Sequence, residues 1–309
     1  MIFNRNQSAP VLFILLGFSD YPDFQILLFL VFLIIYIISV IGNLGMIAII
    51  TINPKLQTPM YFFLKHLSFV DFCYSSSVTP KLLENLVATD KTISLPMCFT
   101  QFFFFGGCAL TDIFILAVMA YDRFVAICNP LLYMVIMSQK RCILLVTAAY
   151  AWGIVFSLVY VVSLLLLSFC GTNIIDNFLC EYSGILSASC SDRHDSELIL
   201  FVVANFNMLS TLMFICSSYV VIFATLMKKN SARVQQKAIS TCASHLTAVG
   251  IFYGTVLFLY CIPNTKSSWF TIKVGSVFYT VLIPMLNPLI YSLRNNDVKE
   301  TIRKMIVKK

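Results

Sequence analysis

Seven stretches of this chain are apolar and long enough to cross a lipid bilayer, which restricts the fold to helices that satisfy their own backbone groups. No charge falls between Asp23 and Lys55, Met97 and Thr111, Cys142 and Ile175, Leu198 and Met227, Ala238 and Thr265, or Val274 and Leu293. Tyr61 to Pro80 is apolar apart from Lys65, His66 and Asp71, and Asp112 interrupts a third run that continues to Tyr121. About 20 helical residues, each advancing about 1.5 Å, cover the hydrocarbon core. A composition with 59% hydrophobic and 11% charged residues excludes an ordinary water-soluble domain. The fold class is therefore all-α, a seven-transmembrane helix bundle. Helices are expected at roughly 24–51, 58–86, 95–127, 139–166, 197–228, 236–262 and 270–293. They form one domain over 1–309, with a tail at 1–23 and a short amphipathic interfacial helix and tail at 294–309.

Basic residues collect on the cytoplasmic side of short membrane loops. With the N-terminus outside, 15 of the 21 lysines and arginines fall inside. The net charge of +7 thus reads as a topology signal with attraction to anionic inner-leaflet lipid, and not as a nucleic-acid surface. Past Arg294, Val298, Ile302, Met305 and Ile306 share one helical face opposite lysines and arginines, which suits a helix lying in the inner interface. Met1 to Pro22 lacks a basic region followed by an apolar core and cleavage site, so the first helix is expected to act as its own insertion signal.

The charges inside the membrane are the most informative. A carboxylate near the bilayer centre costs about 2.5–3.5 kcal/mol on insertion scales and needs an internal partner. Asp71 lies about 20 Å along the second helix from Thr58, and Asp112 about 15 Å from the inner end of the third, with Asn43 and Asn287 in the same half of the membrane. Two neighbouring carboxylates repel, so either one holds a proton or a cation lies between them. At the inner end of the third helix, Arg123 can pair with Asp122 and hold the bundle closed. Pro284 and Pro288 remove backbone donors from the seventh helix and permit it to bend.

One connection is long, from about Leu167 to Glu197, and holds Cys170, Cys180 and Cys190. With Cys98 at the outer head of the third helix, four outer cysteines allow three pairings that spacing does not distinguish. Each closed loop contributes about 3 kcal/mol and holds a lid over the bundle's mouth. Asn6-Gln7-Ser8 is a glycosylation sequon on the outer side, which makes Asn6 the acceptor.

Leu56-Gln57-Thr58-Pro59-Met60-Tyr61-Phe62-Phe63-Leu64, Met119 to Cys128 with Pro130 and Tyr133, Ser218-Tyr219, Lys237 to Leu246, and Pro284 to Tyr291 together resemble, in order and spacing, the signatures of the odorant receptors, a branch of the rhodopsin-like (class A) G-protein-coupled receptors. Departures are small: Gln57, Phe124 and Ile239 replace a usual His, Tyr and Phe, and Asn177 and Glu181 flank Cys180 where the family shows His and Asp, so no metal is expected in that loop. The resemblance implies disulfides joining Cys98 with Cys180 and Cys170 with Cys190. It implies an activation switch of Asp122, Arg123, Tyr219, His245, Asn287, Pro288 and Tyr291, in which Arg123 is released as the sixth helix swings out and a G protein docks. It also implies a sodium ion at Asp71 and Asp112, with a proton shared in a polar network as the alternative; no other cofactor is expected. Its location would be the plasma membrane, with the N-terminus extracellular and the C-terminus cytoplasmic.

Ligand sites in helical bundles lie between helices and are mostly apolar. Phe102, Phe105, Gly106, Ala109 and Leu110 are expected to face the interior from the third helix, joined by family position by Val203, Asn207, Tyr253, Val256, Tyr260, Val277 and Thr280. Where amine receptors of the superfamily carry an Asp, this chain has Phe105, and none of these liners is charged. The expected ligand is a small neutral hydrophobic odorant, oriented by Asn207, Tyr260 or Thr280, because a charged one would be left unpaired in a dry site. The expected partners are that odorant, membrane lipid and a heterotrimeric G protein of the stimulatory, olfactory type that raises cyclic AMP. An ectopic chemoreceptor of the same branch sensing a metabolite is the nearest alternative. Nothing supports an enzyme: His66, His194 and His245 lie far apart, and no His-Glu-x-x-His, Gly-x-Ser-x-Gly or phosphate-binding glycine loop occurs. A transporter would show paired repeats, and there is no internal symmetry here.

Overall fold

The computed structural model describes residues 11–19, 21–170, 173–229, 232–261, 269–294, 298–301 and 303. Its chain runs β1 (Leu12–Leu15), α1 (Gln25–Ile52), α2 (Pro59–Val87), β2 (Thr92–Ser94), α3 (Leu95–Cys128), α4 (Tyr133–Ile136), α5 (Gln139–Leu165), β3 (Ile174–Ile175), α6 (Tyr182–Ser187), α7 (His194–Met227), α8 (Ala232–Cys261), α9 (Trp269–Val277) and α10 (Ile283–Arg294). A five-residue π-turn, Phe278–Leu282, joins α9 and α10 into one rod. The seven spans are thus α1, α2, α3, α5, α7, α8 and α9–α10. Six of these are long and apolar enough to cross a membrane by length and hydropathy; the other is α2, which carries Lys65, Asp71, Lys81 and Glu84.

The burial pattern is that of a lipid-embedded bundle. Ile26, Ile34 and Ile41 on α1, Leu144 and Val155 on α5, and Phe201, Met213 and Phe223 on α7 are exposed, whereas Ser39, Asn43, Ser68, Asp71, Ser75, Asp112 and Asn287 are buried. Lipid is as apolar as leucine, so rods associate through close packing and internal hydrogen bonds. α3 runs through the centre and touches α2, α5, α7 and α8. It packs closely on α5 at Gly153, where an added Cβ would collide with the Gly107 carbonyl oxygen and the Thr111 hydroxyl.

Two large apolar clusters stack along the bundle, beside a small third one of Ile222, Leu226 and Cys242 between α7 and α8. The inner one includes Leu56, Leu64, Leu67, Leu116, Met119, Phe252 and Tyr291. The outer one includes Phe13, Leu15, Phe32, Tyr74, Phe102, Phe105, Phe178 and Leu179. Cys108, Leu110 and Tyr279 pack against both and mark the seam.

At the outer end, part of the expected tail joins a small three-stranded sheet. β1 lies between β2, antiparallel, and β3, parallel, with Phe13 opposite Ile93 and Ile14 opposite Ile174. Strand alternation sends Phe13 and Leu15 inward, both fully buried. Phe13 meets Phe169 edge-on at 5.3 Å, and Phe18 stacks on Phe178 at 5.8 Å. Gly17, at φ +54°, makes the turn after β1 that side chains disfavour, and its N–H donates to the Asn177 carbonyl at 3.2 Å. At the inner end residues 298–301 and 303 are helical, Val298 is buried, and Asn53 donates to Thr301 at 2.7 Å. Asn6 and the remainder of the expected interfacial helix lie outside the described residues.

Candidate ligand site and activation layer

Pro288 has no N–H, so the Pro284 carbonyl one turn earlier loses its helical partner. Asn43 of α1 supplies the missing donor: its Nδ2 reaches the Pro284 carbonyl at 2.8 Å and the Ser39 carbonyl at 3.0 Å. The close approach this needs is made at Gly42, where an added Cβ would lie 3.2 Å from the Pro288 ring. One turn on, Asn287 Nδ2 donates to both oxygens of Asp71, at 3.1 and 2.9 Å. Asp112 acts on Asp71 electrostatically, and its Oδ1, the Asn43 Oδ1 and the hydroxyls of Tyr74 and Tyr291 are buried with no hydrogen-bond partner among the described residues. Several orphaned oxygens around two carboxyls make a donor set suited to a hard cation or to a proton shared through water.

Nearer the inner face, His245 of α8 is fully buried and clasps two other spans. Its Nε2 lies 2.9 Å from the Leu116 carbonyl of α3, and its Nδ1 lies 2.8 Å from the Tyr219 hydroxyl of α7. A carbonyl only accepts, so Nε2 carries the proton and a neutral ring accepts the Tyr219 hydroxyl at Nδ1. The expected Asp122–Arg123 pair is not formed. Neighbouring residues on a helix do not face each other. Asp122 instead accepts from Tyr133 of α4 at 2.8 Å, while the Arg123 guanidinium contacts the Met60 thioether of α2. Burial and the Asp122 carboxylate beside it push the Tyr133 hydroxyl pKa up.

The expected ligand liners divide between the two clusters. Phe102 and Phe105 are buried in the outer one, with Ala109, Leu110, Val203 and Val277 packed on it. Tyr253 and Val256 belong to the inner cluster, and Tyr253 donates to Thr211 at 2.7 Å. Gly106 turns toward Ser157 of α5. Thr280, inside the π-turn, donates to the Ser276 carbonyl at 2.7 Å. Asn207 is buried, donating to the Val203 carbonyl at 2.8 Å and accepting from the Trp152 indole of α5. The side chain of Tyr260 lies outside the described residues.

Over these residues sits the lid. Cys98 is disulfide-bonded to Cys180 with Cα atoms 5.5 Å apart, and Cys170 to Cys190 at 5.9 Å. The Cys180 N–H donates to Gln101 of α3 at 2.9 Å. Sequence reasoning missed what the lid sends downward. Lys273 of α9, buried, pairs with Asp176 at 2.5 Å. Glu181 accepts from Asn177 Nδ2 at 2.8 Å and from the Tyr279 hydroxyl at 3.4 Å, and burial pushes its carboxyl above the usual range. The only sequence signal for that site was the departure at Asn177 and Glu181, which brings together an amide and a carboxyl four residues apart.

Comparison with known proteins settles which family this architecture serves. The sequence pattern described as Olfactory receptor matches residues 32–309. Olfactory receptor 5D18 of Homo sapiens is 59% identical over 306 residues, covering 99% of this chain and 97% of its own length. Olfactory receptor 1165 of Mus musculus is 56% identical over 301 residues, covering 97% and 95%. The chain belongs to the olfactory receptor family. It is therefore a multi-pass membrane protein, an odorant receptor of the G-protein-coupled type, and not an enzyme.

Proposed function

We propose that this olfactory receptor binds a small, neutral, hydrophobic odorant in the outer half of the bundle and thereby activates a stimulatory, olfactory-type G protein that raises cyclic AMP. The observation that carries the ligand reading is the aromatic outer cluster under the disulfide-held lid, where Phe102, Phe105, Ala109, Leu110, Val203 and Val277 offer apolar surface between α3, α7 and α9. Such surface rewards area and shape, and a net charge placed there would lack a counter-ion. Asn207, Tyr260 and Thr280 are the side chains we assign to orienting the guest, with Gly106, Tyr253 and Val256 closing the site around it. Asp176 and Lys273 neutralise each other at the rim.

The inner layer supports the transducing step. His245 ties α8 to α3 and α7, so outward movement of α8 has to break two hydrogen bonds, and the Arg123 head would then be free to receive the G protein. Asp122, Tyr219, Asn287, Pro288 and Tyr291 complete that switch. A sodium ion held by Asp71 and Asp112, with the orphaned Asn43 oxygen, would favour the closed arrangement; a shared proton would do the same with less charge. The positive-inside bias supports an extracellular N-terminus, which brings Asn6 to the glycosylated side, and a cytoplasmic C-terminus at the plasma membrane. The test is a cyclic AMP reporter in cells with and without the stimulatory G protein, presented with a panel of volatiles. A response that persists without that G protein, or ligand accumulating inside the cell without signalling, contradicts the proposal.

A further inference from the structure

We propose that Glu181 and Tyr279 form the polar anchor of the odorant site and select ligands bearing a hydroxyl group, alcohols and phenols, over ethers and hydrocarbons of the same shape. This rests on the outer-half site proposed above. Four observations place a ligand group between these two side chains. Both are only partly buried, Tyr279 packs against both apolar clusters at the seam, and its ring stands 5.9 Å from Phe105. Tyr279 also lies within the π-turn of the seventh span, an irregularity that turns a side chain away from its helical direction and is frequent at functional sites. The Tyr279 to Glu181 contact, at 3.4 Å, is long against the usual 2.7–2.8 Å for two oxygens, so the pair gains from a group that bridges it. The acceptor is held in place beforehand: Glu181 follows the disulfide-bonded Cys180, and Asn177 occupies its other oxygen at 2.8 Å.

The chemistry of the bridge selects the ligand. A group inserted between them takes the proton that the Tyr279 hydroxyl now gives to Glu181 Oε2, so it must accept from Tyr279 and donate to Glu181. A hydroxyl does both. An ether oxygen only accepts and leaves Glu181 unsatisfied; an ammonium only donates and leaves Tyr279 unsatisfied. Sites built around a hydroxyl reject analogues that lack it, because the protein's own buried groups are then unpaired.

The experiment uses purified full-length receptor and reads ligand-dependent thermal stabilisation, which needs no G protein. The probes are straight-chain and aromatic alcohols, their methyl ethers and the parent hydrocarbons. The wild type is expected to bind an alcohol at least about tenfold more tightly than its ether. Tyr279→Phe should bring the two within about threefold while leaving hydrocarbon binding in place. Glu181→Gln should go further: Asn177 keeps the amide oxygen at the Oε1 position, which turns the amide N–H₂ toward the ligand, so ethers should gain affinity as alcohols lose it. An alcohol preference that survives Tyr279→Phe overturns the assignment, as does Glu181→Gln without a gain for ethers. A wild type that binds hydrocarbons and alcohols alike overturns it too, yet leaves the apolar site standing. If no probe stabilises the receptor, the site itself is wrong and the anchor falls with it.

Discussion

The inner and outer halves of this bundle are held by different physics. Inside, single side chains close specific gaps: Asn43 replaces the donor that Pro288 lacks, Asn287 holds Asp71, and His245 spans from α3 to α7. Each contact has one satisfactory geometry, so this half has discrete arrangements and suits a switch. Outside, aromatic rings meet at 5–6 Å around Phe105, Tyr74 and Tyr279, beneath a lid of irregular backbone and a short three-stranded sheet. Ring contacts tolerate small shifts. A half built this way can adjust to a guest, and under the function proposed above the other half would register that adjustment.

The comparison breaks most readily at Phe13. This fully buried ring belongs to the tail strand, and Phe13→Ala should cost about 3–5 kcal/mol of outer-half stability. The expected result is a lid cleaved by protease far faster than wild type, with basal signalling unchanged. Equal disturbance of basal signalling would show that the two halves are one cooperative unit. Gly153→Val comes next, at about 3 kcal/mol, since its side chain would enter space held by the Gly107 carbonyl and Thr111. It should abolish surface expression and so affect both halves together. Gly45→Val, at a position with nothing within 4 Å of the added carbon, is the control and should express normally.

Tyr133→Phe sharpens the inner side. It removes one hydrogen bond to a carboxylate, worth about 1.5–3 kcal/mol, and touches nothing in the outer cluster. Basal cyclic AMP should change by about tenfold while the concentration for half-maximal ligand binding stays within twofold. A matching shift in ligand binding would mean that the inner layer reaches further outward than its contacts suggest.

How much of this was legible in the sequence follows the same division. Span boundaries agree to within a few residues because uninterrupted apolar length is a one-dimensional property. Asp71 with Asn287, and His245 with Tyr219, could be anticipated because helical rise sets the depth of each residue and the motifs bring known partners to one layer. The lid could not be read this way. Asp176 with Lys273 and Glu181 with Tyr279 join an irregular loop to a helix about a hundred residues away, and no periodicity encodes such a pairing. Leu12-Phe13-Ile14-Leu15 has no polar alternation, so its strand character emerges only when β2 and β3 flank it. The Asp122–Arg123 expectation failed for a local reason, since adjacency in sequence sends two side chains apart on a helix.

The smallest expected effect tests whether the lid responds to pH independently of the layer beneath. Burial raises the Glu181 carboxyl in the folded protein above its usual value, while hydrogen bonds from Asn177, Ser183 and Tyr279 pull it partly back. The folded state therefore holds this proton more tightly than the unfolded chain does. Stability linked to the group is fully present below the unfolded value and is lost as pH rises through the folded one. Asp90 works in the opposite sense: Thr92 lowers its pKa through hydrogen bonds, so its contribution is lost as pH falls. Asp90 is fully exposed and screened by solvent, so Glu181 should dominate. Thermal stability of purified wild type relative to Glu181→Gln should then rise as the buffer is taken from neutral toward pH 5. A difference that stays flat or falls would mean that Glu181 is already satisfied as a carboxylate, and that the outer half is tied together by charge as well as by rings.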